Sequence, residues 1–304
     1  MQLTFSSPSP LDYFATLVGS DADFPLLEAM AAVAMDDHPD LDVQQVPDQV
    51  DEWLLRLRRR LAPDASPLQR LRLLNRFFFV DLGLGGQVNH QVNDPSYSHL
   101  HQVLHTRRGL AVVLAAVWLE LARGIGLKAQ GINFPLHFML KVALPQGQVI
   151  MDALTGQSLT RDDLSERLEP FRRHHGLVGE FDVPVDLFLV PCSPRDMVAS
   201  LLLHLKILYH GQRDWPRMLG VTQRMVLLLP DAWDERRDRG LTWAELDRPE
   251  FALADLTGYL EHTDNPPDLD VITTLVEELR RVSGLPATGH KKRGVKPRGA
   301  NKGG

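Results

Sequence analysis

The sequence contains a single cysteine, Cys192, among its 304 residues. One thiol excludes an internal disulfide framework and a cysteine-rich zinc site. It also leaves one position for a catalytic thiol, and no histidine stands beside it in the sequence. We therefore interpret Cys192 as a small side chain at a domain junction rather than as a nucleophile.

Long apolar runs and ligand-binding fingerprints are absent as well. The longest apolar stretch, from Leu110 to Leu121, is shorter than the ~20 residues of a membrane span and is interrupted by Glu120. The N-terminus has no basic segment of the kind that begins a secretory signal. The sequence also lacks a phosphate loop, a dinucleotide fingerprint and an HExxH pattern. These absences predict a cytoplasmic protein without a membrane segment, a metal site or a cofactor.

Basic residues are scarce outside the C-terminal tail. Six of the 33 Lys and Arg lie at 285–304, where there is no acid, so the rest of the chain has 27 basic against 39 acidic residues. An acidic body argues against nucleic-acid binding by the folded part, because phosphate neutralisation needs clustered Lys and Arg. We expect residues 285–304 to be a disordered tail. Such a tail either docks on the acidic body or attaches weakly to RNA or another acidic surface.

Hydrophobic periodicity predicts a helical N-terminal half. Residues 1–23 are rich in turn residues and show little periodicity, so we expect them to be irregular. Beyond them, apolar residues recur at spacings of three and four, which is typical of helices with one buried face. The predicted helices cover 24–35, 46–61, 67–80, 99–105 and 110–123.

Three strands are predicted after the last of these helices, at 128–133, 138–144 and 148–153. Residues 145–147 form a hairpin turn between the second and third strands. A turn centred on residues 146 and 147 pairs Asp152 with Lys141. Lys141 lies four residues from His137 on the same strand face, which is ~13 Å along the strand.

The C-terminal third is predicted to be helical and contains two similar segments. Segments 218–231 and 252–265 are offset by 34 residues, the tetratricopeptide period. A Ser-Pro start at Ser193 opens this part. We expect a tetratricopeptide-like domain over 193–284, following a domain over 24–190. The alternative is an ordinary helical subdomain in which the spacing is a coincidence.

His137 and Asp152 are the strongest candidates for catalysis. A histidine held by a carboxylate is the base of a nucleophilic triad. The nucleophile would lie where the helix at 110–123 begins, because the helix dipole lowers a thiol pKa there. Ala111 and its neighbours carry no thiol or hydroxyl, and Thr106 precedes the helix. The pair is therefore a triad without its nucleophile, or a hydrogen bond that satisfies two partly buried groups.

Two adjacent arginines precede the same helix. Arg107 and Arg108 oppose the dipole at its N-terminus. Placing two positive charges there costs helix stability. This cost suggests that at least one of the arginines makes a bidentate contact with a carboxylate such as Asp94. The simpler interpretation is two exposed charges. Tyr97, which follows the turn at Asp94, belongs to the same predicted binding region.

Several runs together resemble the SirB-type family of bacterial transglutaminase-like proteins. They occur in the family's order over roughly residues 24–283. The runs in the first two thirds of the chain are His38-Pro39-Asp40-Leu41-Asp42, Leu74-Asn75-Arg76-Phe77-Phe78, Asn93-Asp94-Pro95-Ser96-Tyr97, Val103-Leu104-His105-Thr106-Arg107-Arg108-Gly109, Phe134-Pro135-Leu136-His137-Phe138 and Asp152. The C-terminal runs are Asp238-Arg239-Gly240 and Asp255-Leu256-Thr257-Gly258-Tyr259-Leu260.

The resemblance implies an α+β, mainly helical protein. Its papain/transglutaminase-like core would hold a small antiparallel sheet, and tetratricopeptide-like helical hairpins would follow. In this resemblance His137 and Asp152 match the His and Asp of the transglutaminase triad, and the Cys position falls near Ala111. The family tends to lack that Cys. The chain also departs from the family pattern at Leu136, where Gly is usual, and at Ala111, where Pro is usual. Ala153 and Leu154 replace the usual Pro-Phe.

Two functions follow from the sequence. The first is a non-catalytic transglutaminase-like protein that acts in protein or peptide binding, with regulation as one form of such binding. The second is a hydrolase or acyl-transfer enzyme that uses His137 and Asp152 with an unidentified nucleophile or an activated water. The missing thiol favours the first.

Overall fold

The structure is a computed structural model that describes residues 8–86, 94–177, 179 and 182–284. The chain divides into two compact units, Met1–Glu235 and Arg236–Gly304. Asn93 and the basic tail at 285–304 lie outside the described residues. The domain limits expected from the sequence stay a prediction.

Twelve α-helices and five β-strands are described. The helices are α1 (Pro10–Leu17), α2 (Leu26–Ala32), α3 (Gln45–Arg58), α4 (Pro67–Asn75), α5 (Leu100–Thr106), α6 (Ala111–Gly124), α7 (Arg161–His174), α8 (Pro194–Gln212), α9 (Trp215–Leu228), α10 (Trp233–Glu245), α11 (Pro249–His262) and α12 (Leu269–Val282). The strands are β1 (Ala129–Phe134), β2 (His137–Leu144), β3 (Gly147–Asp152), β4 (Ser158–Leu159) and β5 (Pro191–Cys192).

α1 corrects the expectation that residues 1–23 are irregular. Ser9 caps this helix by accepting a hydrogen bond from the Asp12 amide at 3.2 Å, and Pro10 occupies the first turn. Phe14 is fully buried in the core. A Ser-Pro pair followed by an acid is a helix start, but a helix of eight residues is too short to show a clear apolar period.

The predicted amphipathic helices are present with small changes at their ends. α2 continues as the 3₁₀ turn Val33–Asp36, and α4 continues as the π-helical turn Arg76–Asp81. In α3 the side chains of Trp53 and Leu57 are buried, while the arginines at its C-terminus face outward. These helices therefore bury one face each against the large core.

The strands form one antiparallel sheet in the order β4-β3-β2-β1-β5. The two-residue strands β4 and β5 at its edges are too short for a period-2 pattern. The β2–β3 hairpin corrects the predicted register. Leu144 pairs with Gly147, so the turn has two residues and Asp152 pairs with Met139 rather than with Lys141. Met139 is two residues from His137, and the separation along the strand is ~7 Å instead of ~13 Å.

Each face of the sheet packs against a different layer. Phe138 and Leu140 belong to the large core, which also contains most of α6. Met139, which points to the other face, belongs to a smaller core with Leu164 and Leu168 of α7. The sheet therefore separates α6 from α7.

The C-terminal helices confirm the repeat prediction. α8 begins with the expected capping box between Ser193 and Asp196. α9 and α11 have 14 residues each and are offset by 34 residues at both ends. In the second unit, Tyr259 of α11 donates a hydrogen bond to Asp268 at 2.8 Å, just before α12. Met225 and Tyr259, which share one repeat position, are both buried.

Candidate functional site

Backbone contacts fix the start of α6, where a triad would place its nucleophile. Leu110 is the N-cap residue, and its amide donates to the Tyr97 carbonyl at 2.9 Å. Gly109 is buried, and a β-carbon there would lie 2.6 Å from the Val103 side chain. Ala111 is the first residue of the helix. At the N-terminus of α6, where the nucleophile of a triad would lie, the side chain is therefore the methyl group of Ala111.

Apolar side chains fill the space beside this helix start. A β-carbon at Gly86 would lie 2.2 Å from Leu154 Cδ2 and 3.2 Å from the Gly109 carbonyl oxygen. The Gly86 amide donates to the Leu154 carbonyl at 3.3 Å. Ala153 is buried next to it. Leu154 therefore packs close to Gly86, beside the Gly109 carbonyl, and these contacts bring neither a thiol nor a hydroxyl to that place.

A strained turn places His137 at the start of β2. Phe134 pairs with His137, so Pro135 and Leu136 form a two-residue connection. Leu136 has a φ of 62° and a side chain that is 66% exposed. The left-handed region disfavours residues with a β-carbon and favours glycine. The turn therefore holds an exposed leucine where glycine would be less strained.

Asp152 is buried, and both of its carboxylate oxygens accept hydrogen bonds. Oδ2 accepts from Arg167 Nη1 at 2.5 Å, and Oδ1 accepts from the Leu154 amide at 2.7 Å. Arg167 belongs to α7, so the ion pair joins α7 to the end of β3. These contacts explain the burial of Asp152 without a catalytic role.

The face on which Asp152 lies also bears on catalysis. Side chains alternate along a strand, so His137 and Met139 share a face of β2. Asp152 pairs with Met139, and cross-strand partners lie on the same face. That face packs against α7, whereas α6 packs against the other face. A triad with its nucleophile at Ala111 would have to reach across the sheet.

The two arginines before α6 have different surroundings. Arg108 Nη1 donates to the carbonyl oxygens of Gly83 at 2.8 Å and Arg107 at 3.1 Å. The Arg107 guanidinium lies over the Trp53 ring, 4.6 Å from its centroid. Asp94 accepts a hydrogen bond from an amide of its own turn at 2.8 Å. These contacts are with other groups, and the suggested pairing of Arg108 with Asp94 stays a prediction. A binding role for Asp94, Arg108 or Tyr97 stays a prediction.

Cys192 has the properties of a packing residue. It lies in β5 and pairs with Gly131 of β1. Burial raises the pKa of its thiol to about 11, and the charge of Asp196 adds to this effect. A thiol with a raised pKa is protonated at neutral pH and is a poor nucleophile.

A second group of polar side chains, which the sequence did not predict, surrounds Asp37. We call it the Asp37 cluster, and its members are Asp37, His38, His99, His101, Tyr209 and Arg217. Tyr209 donates to Asp37 Oδ2 at 3.0 Å, and Arg217 Nε donates to Oδ1 at 2.7 Å. His99 Nε2 lies 3.4 Å from Asp37 Oδ2. This cluster joins α5 to α8 and α9.

Two histidines of the Asp37 cluster, His99 and His101, have lowered pKa values. Burial lowers the pKa of His99 to about 4 and outweighs the opposite effect of Asp37. Burial also lowers the pKa of His101, and the adjacent His38 adds to this shift. The rings of His38 and His101 meet edge to face at 4.6 Å. Within the cluster, His99 is therefore a buried neutral side chain at pH 7.

Two absences hold for the described part of the chain. No group of three or more His, Cys, Asp or Glu side chains there has an arrangement that could hold a metal ion. None of the helices described combines the length and the apolarity that crossing a membrane requires.

No local pattern in the sequence indicates the partners of Asp152 and Asp37. Arg167 lies 15 residues after Asp152, and Tyr209 lies 172 residues after Asp37. Trp53 was identified only as a buried position of α3. Arginines on predicted helices are usually solvated. Only the tertiary fold brings Arg167 to the Asp152 carboxylate and Arg107 to the Trp53 ring.

Matches to known families agree with the fold. Residues 44–202 match the family model described as Transglutaminase-like superfamily, and residues 205–277 match that described as Tetratricopeptide repeat. The protein is therefore of the transglutaminase-like class with C-terminal tetratricopeptide repeats. No solved structure matches the chain.

The relatives define the family more narrowly. The UPF0162 protein of Xylella fastidiosa strain 9a5c is 30% identical over 254 residues, which cover 83% of this chain and 89% of the relative. YchA of Escherichia coli K12 is 26% identical, with coverage of 84% and 93%. SirB1 of Salmonella typhimurium is 23% identical, also with coverage of 84% and 93%. The chain belongs to the UPF0162 family, and the resemblance to SirB-type proteins is confirmed.

Proposed function

We propose that this protein is a non-catalytic transglutaminase-like module that acts by binding a protein or peptide. One observation carries the proposal. Asp152, the residue that would orient a catalytic histidine, is bound by Arg167 on the face of the sheet opposite to α6. A triad works only when nucleophile, base and orienting acid are within hydrogen-bond reach. Here the acid stabilises the fold, and the nucleophile position is Ala111.

The repeats supply the second argument for binding. Tetratricopeptide arrays present extended surfaces that recognise other proteins, and residues 205–277 match a tetratricopeptide repeat model. A repeat domain needs no chemistry to act, and a regulatory role would arise if binding changed the activity of the partner. The cytoplasmic location expected from the sequence stays a prediction, and cell fractionation tests it.

The alternative is a hydrolase or acyl-transfer enzyme. In that case His137 and Asp152 would act with an unidentified nucleophile or an activated water. Fold alone does not decide between the two, because one architecture can host catalysis or binding.

Turnover assays separate these functions. The full chain is incubated with glutamine-containing peptides and with peptide amides, and ammonia release and hydrolysis are followed by mass spectrometry. We expect the same background rate for the natural chain, for His137→Ala and for Cys192→Ser. Turnover that disappears in His137→Ala would contradict the proposal and support the enzyme.

A further inference from the structure

Arg107 occupies a position where glycine would be less strained. It is the C-cap residue of α5, with φ 65° and ψ 14°. Its amide donates to the Val103 carbonyl at 2.9 Å, and its carbonyl accepts from the Gly85 amide at 3.0 Å. Glycine is the common residue at such left-handed helix ends, because a β-carbon is strained there. The backbone does not require an arginine, so the reason for it lies in the guanidinium.

The guanidinium of Arg107 is stacked and lacks an acceptor. Its Cζ atom lies 4.6 Å from the centroid of the Trp53 ring, and Trp53 is 3% exposed. Stacking on a ring leaves the N–H edge of a guanidinium available for a planar acceptor. Among the described residues, the buried Nη1 of Arg107 has no hydrogen-bond partner. A buried donor of this kind is costly unless a ligand satisfies it.

A second guanidinium lies beside the first. Arg56 is one helical turn from Trp53 on α3, and its Cζ atom lies 5.7 Å from the centroid of the Phe77 ring. Burial lowers the pKa of Arg107, and the positive charge of Arg56 lowers it further. The two like charges are thus close enough to oppose each other.

Arg60, two residues beyond the end of α3, provides the comparison. It also lies near the Phe77 ring, 5.4 Å from the centroid, but it forms an ion pair with Asp81. In the part of the chain that the structure describes, neither Arg56 nor Arg107 has a carboxylate partner. A negative group from outside would offset both charges.

We infer that Arg56 and Arg107 together bind a carboxylate of an acidic peptide segment. Arg56 lies over the ring of Phe77, and Arg107 lies over the ring of Trp53. The planar fork of a guanidinium matches the two oxygens of a carboxylate. This inference rests on the proposed binding function and names the chemistry that the partner would present.

Titration with defined peptides tests the inference. The full chain is titrated at low salt with a fluorescently labelled peptide, acetyl-Gly-Glu-Glu-Glu-Gly-amide, and binding is followed by anisotropy. The matched probe has Gln in place of Glu, and inorganic phosphate is the competitor. We expect binding of the Glu peptide only. Arg107→Gln and Arg56→Gln should each weaken it about tenfold, the effect of losing one charge-assisted contact.

Arg59→Gln is the control variant, because Arg59 is an exposed cation at the end of the same helix. Its affinity for the Glu peptide should stay within about twofold of the natural chain. Arg107→Gly keeps a backbone suited to the left-handed region and should fold with an unchanged or higher melting temperature, yet fail to bind. That variant separates loss of the site from loss of the fold.

Three results would overturn the inference. They are equal affinities for the natural chain and Arg107→Gln, equal binding of the Glu and Gln peptides, and tight binding of phosphate in place of the peptide. Its failure is distinguishable from failure of the proposed function. If the chain neither binds the peptide nor shows turnover, only this binding site is contradicted. If the chain shows turnover that depends on His137, the proposed function is contradicted.

Discussion

Aspartates that could support a histidine occur in two regions, and their surroundings differ. In the Asp37 cluster, His99 lies 3.4 Å from the carboxylate, which also accepts from Tyr209 and Arg217. At the end of β3, Asp152 matches the transglutaminase pattern, but its carboxylate binds Arg167 and a backbone amide. Asp37 is thus held by a tyrosine and an arginine, and Asp152 by an arginine and a backbone amide.

Both aspartates hold together elements that are distant in sequence. In each region an arginine neutralises the aspartate, and the resulting contacts join separate helices or strands. His99 is buried and neutral, so it serves packing. Asp152 holds α7 against the sheet. Each region therefore stabilises the fold, and the following variants test that conclusion from the largest expected effect to the smallest.

Arg167→Met should have the largest effect. It leaves the buried Asp152 carboxylate without its counter-charge, and breaking a buried pair in this way costs about 4 kcal/mol of the free energy of unfolding. Urea denaturation followed by circular dichroism measures the loss. The control is Arg161→Met at the start of α7, whose partner Asp186 is exposed, and which should cost at most about 0.5 kcal/mol. Equal losses of stability in the two variants would show that the ion pair of Arg167 with Asp152 contributes no more to the fold than an exposed pair.

Acidification should weaken the Asp37 cluster. The unfolded chain protonates His99 below pH 6.5, whereas the folded chain resists protonation down to about pH 4. The unfolded state thus binds more protons in this window, and stability falls as the pH drops from 6.5 to 4. The contribution amounts to about 3 kcal/mol. Urea denaturation at several pH values should show a shallower pH dependence for His99→Gln.

The control for this measurement is His105→Gln, since His105 is exposed on the same helix. It should keep the pH dependence of the natural chain. Identical profiles for His99→Gln and the natural chain would show that burial of His99 does not couple folding to protonation. The charged and titratable neighbours Asp37, His38 and Arg217 remain in both variants.

The sequence predicted most of the fold but little of the site. Apolar periods located α3 and α6, and the 34-residue offset predicted the repeats, because these signals are local. The hairpin register was wrong by two residues, since Gly147 suits either a turn or the start of a strand. The pairing of Asp152 with Arg167 was not predictable, because it depends on how α7 packs on the sheet.

Tyr209→Phe should have a moderate effect on the Asp37 cluster. It removes one hydrogen bond to Asp37 but leaves Arg217 as a partner for the carboxylate. We expect a loss of about 1 kcal/mol in the free energy of unfolding, the usual net value of such a bond. Thermal melting measures it, and Tyr97→Phe serves as a control at a half-buried tyrosine. No change in Tyr209→Phe would mean that water replaces the hydroxyl without cost.

Leu136→Gly should have the smallest effect and the opposite sign. Glycine removes the strain of the left-handed turn before His137, but it also makes the unfolded chain more flexible. We expect a net stabilisation of about 0.5 kcal/mol. Thermal melting should show a small increase, and turnover should remain at background. Destabilisation would show that the exposed Leu136 side chain makes contacts that the fold needs.

The most direct test of the central claim restores the missing thiol. In a Cys192→Ser background, Ala111→Cys places the only thiol of the chain at the start of α6. The acyl-enzyme and ammonia release are then measured by mass spectrometry with glutamine-containing peptides. We predict no acyl-enzyme and no turnover above background, because Asp152 lies on the other face of the sheet and is bound to Arg167. The account would be contradicted if this variant showed turnover and the further substitution His137→Ala abolished it. That result would show that the site lacks only the thiol of an active enzyme.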